Sequence, residues 1–126
     1  MTGTVICACG VGSRDALERP LCEAGLPVRC CAPGEPVVEQ VLEDRPGVVV
    51  YELRGDRMAD LAVLRLLRRV APEIPLVLIT GEESLVAQRL VRDLHPVYYA
   101  VHPVAPDEIV EAVRAALQRR QRHKVS

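Results

Sequence analysis

Five short valine-rich runs, separated by longer segments with apolar residues every three or four positions, constrain the fold of this chain most. Continuous apolar runs are typical of strands buried on both faces, and spacing of three and four is typical of helices that cover a sheet. Strands joined by single helices predict an α/β, doubly wound three-layer sandwich around a parallel five-stranded sheet. The runs are Thr4–Cys9, Val28–Ala32, Val48–Leu53, Leu76–Thr80 and Val97–Val101.

Prolines help to locate the helix ends. Pro36 and Pro106 stand where a helix enters its first turn, a position that tolerates the missing N–H group. Pro20 is different, because a proline inside a helix costs about 3 kcal/mol. We therefore expect the first helix, within Ser13–Ala24, to be kinked or to begin near Glu18.

The composition indicates one domain, residues 1–126, without nucleic-acid or membrane chemistry. The net charge is -1, and Phe and Trp are absent. A membrane span needs about 18 apolar residues, and no apolar stretch of the chain approaches this length. We expect a cytoplasmic protein that does not bind membranes, with nucleic acid disfavoured as a partner. The basic tail, residues 119–126, is interpreted as a solvated helix end, and a nucleic-acid or partner arm is the alternative.

The five cysteines suggest reduced, buried thiols, since the count is odd and no export signal precedes them. Cys7 and Cys9 point to the same face of the first strand, and Cys30 and Cys31 on the second strand point to opposite faces. Three thiols can thus approach one another. A thiol-based redox or metal sensor is an alternative function, although the C-x-C and C-C spacings are not those of zinc sites and favour simple packing.

A nucleotide cofactor is not expected. Gly10-Val11-Gly12 follows the first strand, but the third glycine of a dinucleotide-binding turn is replaced by Asp15. His95 and His123 have no His or Cys at ligand spacing, so no metal site is predicted from them.

Four short sequence motifs lie at the predicted ends of helices and strands. They are Glu23-Ala24-Gly25-Leu26-Pro27-Val28, Ala32-Pro33-Gly34-Glu35, Pro75-Leu76-Val77-Leu78-Ile79-Thr80-Gly81 and Tyr99-Ala100-Val101-His102-Pro103. With these motifs the chain resembles, over nearly its whole length, a receiver domain of the two-component response-regulator family. The resemblance implies a flavodoxin-like (βα)5 fold with strand order 2-1-3-4-5, in agreement with the prediction from periodicity.

The resemblance also implies where a phosphorylation pocket would lie. In the family, two acidic residues after strand one hold Mg²⁺, an aspartate after strand three accepts the phosphoryl group, and a lysine neutralises it. By position these fall on Ala8 and Cys9, on Glu52, and on His102. Because Mg²⁺ needs several oxygen ligands, we predict no functional Mg²⁺ site, no other cofactor and no enzymatic turnover.

The output side of the family's switch is better preserved. Thr80 and Tyr99 match its hydroxyl and aromatic positions, and His102-Pro103 matches a turn with a cis proline. The family uses the face of helix four, strand five and helix five for binding partners or for dimerisation. Tyr98 and Tyr99 on strand five suggest the same for this chain.

We favour a solvated Glu52 and a surface His102, and a direct contact that imitates part of the phosphorylated state is the alternative. The sequence thus predicts a degenerate receiver, or pseudo-receiver, that binds a protein partner or itself without phosphorylation. Two alternatives stay open: a receiver still phosphorylated or regulated at Glu52, and the thiol sensor built on Cys7, Cys9, Cys30 and Cys31.

Overall fold

A computed structural model describes residues 3–53, 57–81 and 85–125. Within these ranges strands and helices alternate along the chain, and all strand pairs are parallel. The sheet order β2-β1-β3-β4-β5 confirms the predicted order. The elements are β1 (Val5–Ala8), α1 (Arg14–Glu23), β2 (Val28–Cys31), α2 (Glu35–Asp44), β3 (Val48–Leu53), α3 (Arg57–Val70), β4 (Leu76–Thr80), α4 (Leu85–Leu94), β5 (Tyr98–Val101) and α5 (Pro106–Val125).

Two apolar layers hold the sheet between the helices. One layer joins Ile6, Tyr51 and Leu78 to residues of α2, α3 and α4, and the other joins alternate strand residues to α1 and α5. The three inner strands are fully buried, whereas the edge strands β2 and β5 are mostly half-buried. The expectation of strands buried on both faces therefore holds for the inner strands only.

The first helix does not begin near Glu18, as the proline suggested. One turn of 3-10 helix, Val11–Ser13, leads directly into α1 at Arg14, and Pro20 lies buried inside the helix. Leu17 and Leu21 are fully buried on the same helix, and each such leucine contributes about 1.5–3 kcal/mol. Burial of the two leucines, about 3–6 kcal/mol together, therefore offsets the cost of about 3 kcal/mol for one proline.

The other two helix starts confirm the sequence prediction. Pro36 lies in the first turn of α2, and α5 begins at Pro106 with Asp107 and Glu108 in its first turn. The backbone of α5 continues to Val125, so most of the basic tail belongs to this helix. No helix in the described part of the chain combines the length and apolarity needed to cross a membrane.

Candidate functional site

The candidate site lies at the carboxyl edge of the sheet, where loops from three strands converge. In a parallel sheet this edge collects the ends of all strands and is the usual place for ligands. Gly10 follows β1, Glu52 lies near the end of β3, and His102 follows β5. The N–H group of His102 donates to the carbonyl oxygen of Thr80 over 2.8 Å, which ties the turn after β5 to the end of β4.

The Glu52 carboxylate lies at the centre of this edge, and the residue is only 5% exposed. Its Oε1 accepts a hydrogen bond from the Gly10 N–H group over 3.0 Å. Its Oε2 accepts from the Ser13 hydroxyl and lies 2.9 Å from Nε2 of His102. Because a carboxylate can only accept, the His102 ring must carry a proton on Nε2. Both carboxylate oxygens are thus engaged.

This geometry overturns the favoured expectation of a solvated Glu52 and a surface His102. The sequence suggested solvation because charged side chains at strand ends usually reach water. In the structure the β1 loop, with Gly10 and Ser13, folds over the carboxylate and supplies donors in place of water. The alternative, a direct Glu52–His102 contact, is the one present.

Burial and hydrogen bonding act in opposite directions on Glu52. Burial raises the pKa of the Glu52 carboxyl, while the hydrogen bonds from Ser13, Gly10 and His102 lower it. The net result is a pKa below the ordinary value, so Glu52 carries a negative charge at neutral pH. Ser13 was not predicted as a site residue, because its sequence signal was limited to its position in the loop that follows β1.

The positions expected to hold Mg²⁺ present no side-chain oxygen. Ala8 is fully buried at the end of β1, and Cys9 is 3% exposed with its thiol on the α1 side of the sheet. Among the described residues, the side chains that lie close enough together to share a metal ion are three cysteines, Cys7, Cys9 and Cys30, and not carboxylates. That set is chemically unsuited to Mg²⁺, which prefers oxygen.

The expected switch positions lie along β4, β5 and the following turn. Thr80 ends β4 and is 6% exposed, and Tyr99 is half-buried against the layer that contains α2, α3 and α4. The His102–Pro103 peptide bond is cis, as the resemblance implied. These observations give their positions, while their role in switching stays a prediction.

The thiols form a separate group beside this site. Cys7, Cys9 and Cys30 lie on one face of the sheet, and Cys31 packs on the other, as the alternation predicted. Hydrogen bonds to Cys30 and Cys9, together with burial, raise the pKa of Cys7, and the hydrogen bond from Cys7 lowers the pKa of Cys9. Cys22 corrects the expectation of buried thiols, because it is exposed.

A buried polar pair next to the site was also missed from sequence. The hydroxyl of Tyr51, a fully buried side chain, donates to Oδ1 of Asp60 over 2.7 Å. Asp60 in turn lines a cleft of about 450 Å³ together with Cys9, Gly10 and Arg14. A tyrosine within an apolar strand and an aspartate in the first turn of the next helix were the available signals.

The strand order and the loops at this edge define a receiver-type α/β domain, and comparison with known proteins agrees. No protein-family model matches the chain. Response regulator MprA of Mycobacterium leprae is 29% identical over 106 residues, which cover 84% of this chain and 46% of that protein. MprA of Mycobacterium ulcerans is 28% identical with the same coverage. The chain thus spans about half the length of these relatives.

Solved structures support the same class. A CheY-like response regulator receiver domain protein from Methanospirillum hungatei superposes with a TM-score of 0.83 at 16% identity, over 95% of this chain and 96% of that one. FixJ-N superposes with a TM-score of 0.79 at 24% identity, over 94% and 95% of the two chains. The chain is therefore similar to response-regulator receiver domains in both sequence and fold.

Proposed function

We propose that this receiver domain signals without phosphorylation, by binding a protein partner or a second copy of itself. The observation that carries the proposal is the Glu52 carboxylate, which accepts hydrogen bonds from Gly10, Ser13 and His102. A carboxylate committed to three donors is held in place and is a poor nucleophile. We further propose that the domain acts in the cytoplasm and has no catalytic turnover.

The missing metal ligands support the same proposal. Phosphoryl transfer depends on positioning and on neutralising charge over the transferring oxygens, and in receivers Mg²⁺ supplies much of that neutralisation. Ala8 and Cys9 offer it no oxygen, and both oxygens of Glu52 already accept hydrogen bonds. His102 then has a carboxylate as its partner in place of a phosphoryl group.

The Glu52–His102 contact also suggests which conformation the domain keeps. A glutamate carries its charge one methylene farther from the strand than an aspartate, toward the place that a phosphoryl group would occupy. Its contact with the basic position of the turn after β5 imitates part of the phosphorylated state. We propose that Thr80 and Tyr99 transmit this arrangement to the surface of α4, β5 and α5, where the partner or second copy binds.

Calorimetric titration with Mg²⁺ and beryllofluoride, a phosphoryl mimic, tests the proposal. We expect no heat of binding from the native chain, and none from Glu52→Asp, because Ala8 and Cys9 still lack oxygen ligands. A variant that combines Ala8→Asp, Cys9→Asp, Glu52→Asp and His102→Lys is the positive control for the assay. Binding by the native chain would overturn the proposal and favour a receiver still regulated at Glu52.

Incubation with a small phosphodonor and Mg²⁺, followed by intact-mass measurement, tests directly whether Glu52 can be phosphorylated. We expect the mass of the chain to stay unchanged. Covalent phosphate on Glu52 would mean that the carboxylate can leave its three donors and act as a nucleophile.

A further inference from the structure

Three sulfur atoms meet on the face of the sheet that α1 and α5 cover. Cys7 and Cys30 are direct register partners on β1 and β2, and Cys9 follows Cys7 on the same face. The sulfurs of the three residues all lie within 4.8 Å of one another, and those of Cys7 and Cys9 are 3.8 Å apart. The phosphorylation-independent signalling proposed above makes no use of these thiols.

The spacing of the sulfurs suits a single bound ion. A metal ion about 2.3 Å from each of three thiolates holds the sulfurs about 4 Å apart. The distance of 3.8 Å between Cys7 and Cys9 is already close to this value, and no sulfur pair exceeds 4.8 Å. Small rotations of the side chains would therefore complete the site without movement of the strands.

The ligand set and the apolar side chains around the three sulfurs favour some metal ions over others. Leu17 and Leu21 of α1 belong to the same apolar cluster as Cys7 and Cys9, and all four side chains are buried. Structural zinc sites are tetrahedral and use four protein ligands, whereas the ligand group formed by the described residues supplies three. Thiolates are soft ligands that favour Cu(I), and a site without oxygen or nitrogen ligands disfavours harder ions.

We propose that Cys7, Cys9 and Cys30 bind one Cu(I) ion through their three sulfurs. On binding, copper–sulfur bonds replace S–H bonds and the displaced protons pass to solvent. Neither copper nor sulfur changes oxidation state. Cys7 is closed to solvent, but Cys30 is half-buried and Cys9 lines the cleft shared with Gly10 and Arg14. Cys30 on the edge strand β2 therefore gives the ion a route to the sulfurs.

Competition for Cu(I) against a chromophoric chelator, performed anaerobically on the reduced full chain, tests the proposal. We expect one equivalent of Cu(I) per native chain. Affinity should fall more than about 100-fold in Cys30→Ser, because loss of a group that merely orients a metal ligand already costs about 10–100-fold. Cys31→Ser is the matched control, since Cys31 is the next residue but faces the other layer. Cys22→Ser, an exposed thiol, is a second control, and both should bind as the native chain does.

X-ray absorption at the copper edge and thermal unfolding complete the test. The expected spectrum has sulfur neighbours only, and Cu(I) should raise the melting temperature of the native chain but not of Cys30→Ser. Cys30→Ala replaces Cys30→Ser if the serine variant does not fold. Absence of binding, equal loss in Cys31→Ser, or tighter binding of Zn²⁺ than of Cu(I) in the same competition would each overturn the proposal.

Discussion

At the scale of single residues, Glu52 illustrates how a loop can replace water around a charge. Taking an ionised carboxylate out of solvent is costly unless hydrogen bonds compensate. Gly10 supplies a backbone donor, Ser13 a hydroxyl and His102 a ring N–H group, and together they lower the pKa of Glu52 despite its burial. The native structure thus favours the ionised form of this residue.

This preference predicts a pH dependence of stability. Because the pKa of Glu52 is lower in the folded chain than in the unfolded one, the unfolded chain takes up the proton first as the pH falls. The stabilisation is fully present above the unfolded value of about 4.3 and is lost as the pH falls through the folded value. Urea unfolding at a series of pH values, from neutral to about pH 3, measures this change in the free energy of unfolding.

Glu52→Gln is the reference for that experiment, since it keeps the shape and an acceptor but cannot ionise. At neutral pH we expect it to be about 1–3 kcal/mol less stable than the native chain, because charge-assisted hydrogen bonds are lost. The difference should shrink on acidification. A difference that stays constant, or grows, toward low pH would show that the folded chain does not favour ionised Glu52.

At the scale of elements, the strands differ in how closely their bounds follow the prediction. The bounds of β3 and β4 agree with prediction because both runs are mostly apolar and begin directly after proline or glycine. The other three strands are shorter than predicted: the edge strands β2 and β5 each by one residue, and the buried strand β1 by two, because Thr4 and Cys9 lie outside it. Helix α1 lies within the predicted segment Ser13–Ala24, and only the alternative start near Glu18 was wrong, because the proline rule ignores what the rest of the helix buries.

The site was predicted less completely than the fold, for a related reason. Strand order alone brings Glu52 and His102 to one edge, so their proximity was a legitimate alternative. The donation from Gly10 and Ser13 depends on the path of the β1 loop, which no local pattern specifies. The Tyr51–Asp60 bond likewise joins a strand to the next helix through tertiary packing.

The end of α2 provides a prediction at this scale. Arg45 follows the helix with φ of 49°, in the left-handed region, and its N–H group donates to the carbonyl oxygen of Val41. A residue with a Cβ atom pays about 1–2 kcal/mol in this conformation, whereas glycine adopts it freely. We expect Arg45→Gly to stabilise the domain by about 1 kcal/mol, measured by urea unfolding.

Arg45→Ala is the control for this substitution, because it removes the exposed side chain and keeps the Cβ atom. Its stability should match that of the native chain. If alanine stabilised the domain as much as glycine, the gain would come from loss of the arginine side chain and not from relief of the left-handed backbone.

At the scale of the whole molecule, the receiver fold separates the pocket from the proposed binding surface. The pocket lies at the carboxyl edge of the sheet, while α4, β5 and α5 form one side of the domain. The turn after β5 joins them, because His102 contacts Glu52 and its backbone bonds to Thr80. A pocket fixed in one conformation would keep the surface of α4, β5 and α5 in one conformation. This is how the proposed phosphorylation-independent signalling would work.

We predict that the domain self-associates through the surface of α4, β5 and α5. Tyr98 is half-buried on β5 and its hydroxyl donates to Glu108 of α5, so the two elements present a joined surface. We expect sedimentation velocity to show a dimer whose fraction rises with concentration up to the high micromolar range. Tyr98→Glu should lower that fraction, because a carboxylate at this position would face Glu108 and be desolvated in the interface.

Exposed residues of α2 and α3 supply both the control and the alternative interface. Leu42 on α2 and Leu66 and Val70 on α3 are exposed apolar side chains, 48%, 44% and 40% exposed. Exposed apolar residues can themselves mark an interaction site. Leu42→Glu should leave the dimer fraction unchanged if α4, β5 and α5 form the interface. Dissociation by Leu42→Glu but not by Tyr98→Glu would move the interface to α2 and α3, and a monomer at every concentration would leave a different protein as the partner.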